Sequence, residues 1–178
     1  MPAARLKSFA YRYDAGAGPL SREELAAEAF SQGNCRLAVQ YFLFKAFGLY
    51  LGAADILLPR AYDETGVFLF REAPIDFGAL RCGDILYAEN LRNRLEQPLA
   101  RGREAFPDRD GWVLHFHSAV FLGERSAALS RLLPEGDYPH GEPLIWHATA
   151  IEQGSCVWPL AKFLHYYKPV SAKRVVAA

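Results

Sequence analysis

The sequence lacks the features that mark several large classes of protein. Its 20 Lys and Arg residues balance 20 Asp and Glu residues, so we expect no nucleic-acid partner. No apolar run approaches the roughly 20 residues that a membrane-spanning helix needs, and the N-terminus has no secretory apolar stretch. Three cysteines without a Cys-x-x-Cys pair argue against a disulfide scaffold. These absences predict a cytoplasmic protein with reduced thiols and no membrane span, and they leave its oligomeric state open.

The composition that remains is that of a packed globule. The chain has 178 residues, of which 51% are hydrophobic and 13% aromatic, so one domain can bury a core without disulfides or metals. Ser21 followed by Glu24 forms the pattern of a capping box and predicts the start of a helix, which Gly33 is expected to end. The first twenty residues are interpreted as an irregular lead-in.

The second predicted helix is the most informative element. It begins near Asn34 or Cys35, runs to about Tyr50 and is apolar on all sides, which is typical of a helix buried in the middle of a fold. Strands are predicted after it, at 67–70, 84–88, 113–122, 144–148, 156–159, 164–167 and 172–176. Helices followed by strands predict an α+β fold in which a central buried helix packs on an antiparallel sheet.

A cysteine at a helix N-terminus is a candidate nucleophile. The partial positive charge of the helix end lowers the pKa of a thiol, and Cys35 stands at the predicted first turn of the central helix. Cys82 lies in a predicted turn and Cys156 within a strand, where no comparable charge is expected. The alternative is that Cys35 is a buried structural residue, since free cysteine packs as a small hydrophobic side chain.

A cysteine nucleophile needs a base, usually histidine, and the base needs an orienting partner. His115 and His117 lie two residues apart in a predicted strand and therefore share one face, and His147 lies in another strand. His115 and His117 could also hold a metal ion, but no further ligand follows at a typical spacing, so no metal or other cofactor is predicted. His140 and His165 are interpreted as structural or exposed.

The order of the motifs resembles a known family, the NlpC-type cell-wall peptidases. That family typically has Asp-Cys-Ser-Gly at a helix start, Pro-Gly-Asp before an apolar strand, a strand that opens with His, and a second His after an apolar pair. The corresponding segments here, in the same order, are Gly33-Asn34-Cys35, Gly83-Asp84-Ile85-Leu86-Tyr87, His117–Gly123, Ile145-Trp146-His147-Ala148-Thr149, and Tyr166-Tyr167 with Ala172-Lys173-Arg174-Val175.

The resemblance implies a papain-like core with a Cys-His-His triad. Cys35 would be the nucleophile, His117 the general base in preference to His115, and His147 the residue that orients the imidazole. The family's substrate is typically a peptide of the bacterial wall, cut at an amide bond next to D-glutamate. The chain would be a single domain, 1–178, with an N-terminal extension at 1–32 and insertions at 89–111 and 124–141.

Departures from the family pattern indicate a changed substrate. Asn34 replaces the Asp before the nucleophile, and Arg36 and Leu37 replace the small Ser-Gly pair after it. An upstream Tyr normally supports the oxyanion, a position that Tyr11 or Tyr13 would fill.

We therefore expect Asn34, Arg36, Tyr13 and His115 to line the substrate site of a cysteine peptidase or amidase that acts on a small peptide or amide. Two alternatives remain open. The same thiol could transfer its acyl group to an amine or alcohol, or the domain could be a catalytically silent binding module.

Overall fold

The computed structural model describes residues 5–13, 20–52, 66–70, 74–91 and 117–175. Its framework is one eight-stranded sheet with the strand order β2-β1-β7-β6-β5-β4-β8-β3. The strands are β1 (Ala10–Tyr11), β2 (Gln32–Gly33), β3 (Gly66–Phe70), β4 (Ile85–Asn90), β5 (His117–Gly123), β6 (Leu144–Thr149), β7 (Gly154–Pro159) and β8 (Tyr167–Val175). All neighbouring pairs are antiparallel except β1 and β2, which are parallel. The predicted α+β class with an antiparallel sheet is confirmed.

The central helix, α2 (Cys35–Phe47), covers one face of this sheet. It lies against β5 and β6, and Trp146 of β6 donates its indole N–H to the carbonyl oxygen of Ala38 at 2.9 Å. Residues 38–43 are all buried, as the apolar sequence predicted. The helix ends at Gly48, which adopts the left-handed conformation at φ 68° and stops it three residues before the predicted end.

A second core lies on the opposite face of the sheet, under helix α4 (Leu160–Tyr166). Phe163 of this helix is fully buried against β6 and β8 side chains. The prediction of a strand at 164–167 was therefore wrong. The apolar residues Leu160, Phe163 and Leu164 have helical spacing, and this pattern is visible only when the segment is read from Pro159 onward. The predicted strand at 172–176 belongs to β8, which begins earlier at Tyr167.

The N-terminal segment contains a confirmed capping box and two short strands. Ser21 and Glu24 cap helix α1 (Arg22–Ala26) reciprocally, as predicted. The helix ends at Ala26 rather than at Gly33, which was wrongly assigned as its terminator and lies in β2. A Cβ atom on Gly33 would lie 2.2 Å from Leu37 Cδ2, so close packing explains this glycine. The expected irregular lead-in in fact contributes β1 to the sheet.

The two predicted insertions differ in how much the structure describes. Segment 124–141 forms helix α3 (Ala127–Leu132), which Ser126 caps, and its Leu129 and Leu133 are buried in the core under α2. Of the predicted insertion at 89–111, residues 89 and 90 are the last two of strand β4 and residue 91 follows it. Residues 92–111 lie outside the described residues, as do residues 113–116, where a strand was predicted to begin. A 3₁₀ turn at Phe77–Ala79 precedes β4. Across the described ranges, no helix has the length and apolar composition needed to cross a bilayer.

Candidate active site

Cys35 is the first residue of the central helix, as predicted. The side-chain oxygen of Asn34 accepts the backbone N–H groups of Arg36 and Leu37 at 3.0 and 3.3 Å and so caps the helix. Asn34 is buried. Asn34 thus fixes the backbone on which the thiol stands, and its predicted contact with substrate stays a prediction.

Backbone N–H groups act on the pKa of the Cys35 thiol. They belong to Ser118, to Arg36 and to Cys35 itself, and they lower the pKa of the thiol together with the charge of Arg36. Burial of the sulfur outweighs them and raises the pKa above the ordinary value, although the residue as a whole is only half-buried. The helix N-terminus therefore does not by itself produce a depressed pKa, and a reactive thiolate at Cys35 requires a base.

The other two thiols are in less favourable surroundings. Burial and the nearby Asp84 raise the pKa of Cys82 to about 11. Burial and Glu152 raise the pKa of Cys156 to about 12. Backbone N–H donors stabilise the thiolate of Cys35, whereas none is among the causes that set the other two values. Cys35 thus remains the best-placed nucleophile of the three.

The two predicted catalytic histidines are in direct contact. Nε2 of His117 lies 2.8 Å from Nδ1 of His147, and both residues are buried. They come from adjacent antiparallel strands, β5 and β6. Ser118, whose backbone N–H lowers the pKa of the Cys35 thiol, directly follows His117. Within this pair His117 uses Nε2, so a proton exchanged between His117 and a group outside the pair would pass through Nδ1.

His147 is neutral at physiological pH. Burial lowers its pKa well below the ordinary value, and the charges of His117 and Lys162 lower it further. A neutral partner can still accept a hydrogen bond from His117 through Nδ1, as the third member of a triad does. Unlike a carboxylate, however, a neutral His147 has no negative charge that would stabilise a protonated His117.

Tyr167 is a site residue that sequence reasoning missed. Its ring stacks on His117 with centroids 4.1 Å apart and planes inclined by 14°. Its hydroxyl lies 2.8 Å from Oγ1 of Thr149, and burial raises its pKa to about 12. The sequence placed this tyrosine in the last strand of the family pattern, but nothing in the sequence indicated that its ring faces the base.

The structure distinguishes between the two upstream tyrosines. Tyr11 in β1 is half-buried, and burial followed by the charge of Cys35 raises its pKa to about 12. Tyr13 lies nearby with a side chain that is 79% exposed. Tyr11 is therefore the tyrosine that interacts with the thiol, whereas Tyr13, which we predicted to bind substrate, lies at the surface.

Arg36 is half-buried beside the nucleophile, and its charge lowers the pKa values of both Cys35 and Tyr11. The predicted part of Arg36 in substrate binding stays a prediction. The predicted substrate contact of His115 lies outside the described residues. His140 and His165 are exposed, as expected. Among the described residues, no group of three His, Cys, Asp or Glu side chains is arranged to hold a metal ion.

Comparison with known proteins adds no relative. No protein-family model, no curated protein and no solved structure matches the chain. The resemblance to NlpC-type peptidases accordingly depends on the order of the motifs in the sequence.

Proposed function

We propose that this chain is a cysteine hydrolase that cleaves an amide bond with Cys35 as nucleophile, His117 as general base and His147 as the orienting residue. One observation carries the proposal. The backbone N–H of Ser118 lowers the pKa of the Cys35 thiol, and the preceding residue, His117, has its Nε2 2.8 Å from His147 Nδ1. This buried histidine pair, on a strand whose Ser118 N–H also influences the thiol, supports the proposal, because thiol catalysis requires a base and an orienting partner near the nucleophile.

The chemistry follows from these positions. His117 takes the proton of the Cys35 thiol, and the thiolate attacks the substrate carbonyl carbon to give a tetrahedral oxyanion. Collapse of this intermediate breaks the C–N bond, and the protonated His117 gives its proton to the leaving amine. Water, deprotonated by His117, then attacks the thioester and releases the acid and the free thiol. The products are one amine and one carboxylic acid for each water consumed.

Two groups near the sulfur are suited to support the oxyanion. The backbone N–H of Cys35 lowers the pKa of its own thiol and would be one such donor. Tyr11, with a pKa of about 12, keeps its phenol proton at neutral pH and can donate it in a hydrogen bond. Tyr11 would therefore take the part that an upstream tyrosine plays in the family, which the sequence assigned equally to Tyr11 or Tyr13.

The residues after the nucleophile favour a small, acidic substrate. Leu37 packs against the backbone of Gly33, where a Cβ atom would lie 2.2 Å from its Cδ2. Arg36 brings a positive charge to the thiol and to Tyr11. A guanidinium binds a carboxylate in a bidentate manner, so a short peptide or amide with a carboxylate next to the scissile bond fits this entrance.

The test is turnover of a defined panel of substrates. Purified protein is offered short γ-glutamyl and acyl-amino amides, and separately intact wall polymer, with products followed by mass spectrometry. We expect hydrolysis of small amides that is lost in Cys35→Ala and retained in Cys82→Ser and Cys156→Ser. Release of peptides from the polymer alone would overturn the substrate class. Formation of a new amide with added amine would identify an acyltransferase, and no turnover with an unreactive Cys35 would leave a binding module.

A further inference from the structure

The proposed reaction fixes which nitrogens of the histidine pair carry protons. If Nδ1 of His117 takes the thiol proton, the neutral His117 carries its own proton on Nε2. This N–H must then donate to Nδ1 of His147, which lies 2.8 Å away. His147 is neutral, so its single proton must be on Nε2. The productive state therefore requires an N–H group at Nε2 of His147.

That N–H group has no conventional acceptor. His147 is fully buried, and among the described residues no hydrogen-bond partner lies at its Nε2. A buried donor without a partner is costly, which would favour the opposite tautomer with the proton on Nδ1. In that tautomer His147 would donate to His117 Nε2, and the His117 proton would move to the nitrogen that should act as base. Something in the pocket has to stabilise the productive tautomer.

Aromatic rings enclose His147 at this position. The Trp158 ring is nearest, with centroids 4.5 Å apart and planes inclined by 71°. Phe163 follows at 5.4 Å and Tyr167 at 5.8 Å, both also close to perpendicular to the imidazole. An N–H group directed at a ring face forms a weak hydrogen bond with its π electrons, and indole has the most electron-rich face of the three.

We propose that Trp158 is a positioning residue which accepts the Nε2–H of His147 on its ring face and so holds the histidine pair in the productive tautomer. The need for this tautomer rests on the proposed function, whereas its stabilisation by Trp158 is argued from the contacts of His147 alone. Trp158 acts through His147 and His117 and touches no reacting atom.

Two partly exposed side chains hold the Trp158 ring in position. Its indole N–H donates to Oε1 of Glu152 at 3.0 Å, and Nζ of Lys162 lies 4.3 Å from a ring centroid. Glu152 and Lys162 form an ion pair at 2.5 Å. We call Glu152 and Lys162 the clasp. Both contact Trp158, which is itself buried, with an exposed fraction of 2%. The titratable groups around His147 are thus His117, Tyr167, Lys162 and, across the ladder, Cys156, with Glu152 behind Trp158.

The test reads the tautomer directly by long-range ¹H–¹⁵N correlation on protein with ¹⁵N-labelled histidine. We expect the wild type to show His147 protonated on Nε2. Trp158→Leu should lower the ratio of the Nε2–H to the Nδ1–H form about fivefold, as expected for loss of a contact of this kind. Trp158→Phe should have a smaller effect. Phe163→Leu, which removes another ring on the same histidine, is the matched control and should leave the ratio unchanged.

A second measurement keeps the inference testable if Trp158→Leu does not fold. Glu152→Gln and Lys162→Met loosen the clasp from the surface and should shift the ratio in the same direction by a smaller factor. A wild type with the proton on Nδ1, or a ratio that does not change in any Trp158 or clasp variant, would overturn the inference. A correct tautomer in a protein that hydrolyses no amide would leave the inference intact and refute the proposed function alone.

Discussion

Replacing His117 by Ala should convert Cys35 from a reactive thiol into an ordinary buried one. Burial raises the pKa of this thiol above its ordinary value of 9.0. Without a base it is therefore at most about 1% thiolate at pH 7. A thiolate–imidazolium pair with His117 would instead make the thiolate a large fraction at that pH. Allowing for the lower nucleophilicity of a stabilised thiolate, we expect His117→Ala to slow alkylation at pH 7 by about 10- to 100-fold.

The assay is alkylation by limiting iodoacetamide, with each cysteine followed by mass spectrometry from about pH 5.5 to 9.5. In the wild type, the Cys35 rate should rise through the titration of the pair and then level off. In His117→Ala it should rise about tenfold per pH unit across the range from 7 to 9. Cys82 and Cys156, whose pKa values are about 11 and 12, serve as internal standards that should stay slow in both proteins.

His115→Ala is the control that tests the register of the histidines. It removes a histidine two residues away in the sequence and should change the Cys35 rate little. A larger effect from His115→Ala than from His117→Ala would show that the register is wrong by two residues. Equal rates in all three proteins would refute the reasoning, because Cys35 would then have no histidine base.

Three further predictions address stability and selectivity. Because the pKa of buried His147 is depressed, the unfolded chain binds a proton below about pH 6.5 that the folded chain does not bind. The free energy of unfolding should therefore fall by about 1.4 kcal/mol per pH unit on acidification below that pH. Urea titrations should show a smaller slope in His147→Gln, and an unchanged slope would contradict the prediction. Gly33→Ala should cost about 1–3 kcal/mol because its Cβ would meet Leu37 at 2.2 Å, and a cost that persists undiminished in the Leu37→Ala background would disprove that cause. Arg36→Ser should lower kcat/KM for substrates with a carboxylate beside the scissile bond and spare neutral ones, so identical kinetics on both would remove its role in selectivity.

The parts of the fold that could be predicted are those with a local signal. The Ser21 capping box and the all-round apolar pattern of α2 depend on residues within one or two turns of each other. Strands β1 and β2 have two residues each, too few for an alternating pattern, and exist only because they pair with distant chain segments. Helix α4 was missed because its aromatic end resembled a strand when separated from Leu160.

The candidate site likewise has residues that could be predicted from the sequence and residues that could not. Cys35, His117 and His147 were selected from motif order, and the structure brings the two histidines together, with Nε2 of His117 2.8 Å from Nδ1 of His147. Tyr167 and Trp158 were not identified, because their contacts with the histidines depend on sheet register and on the curvature between strands. Burial, which sets the direction of the Cys35 pKa, is likewise a property of the assembled structure that a helix N-terminus in the sequence does not reveal.

The short strand β1 is a narrow connection between two parts of the candidate site. It bonds to β2, which ends at Gly33 directly before the nucleophile's cap, and on its other edge to β7, which is paired with the strand of His147. On this side of the sheet, Cys35 is therefore connected to the histidine pair through β1, a strand of only two residues. Weakening β1 would remove one connection between the start of α2 and the histidine pair, while the packing of α2 on β5 and β6 would remain. The histidine pair thus lies on two strands in the middle of the sheet, whereas Cys35 lies beyond the two-residue strands at its edge.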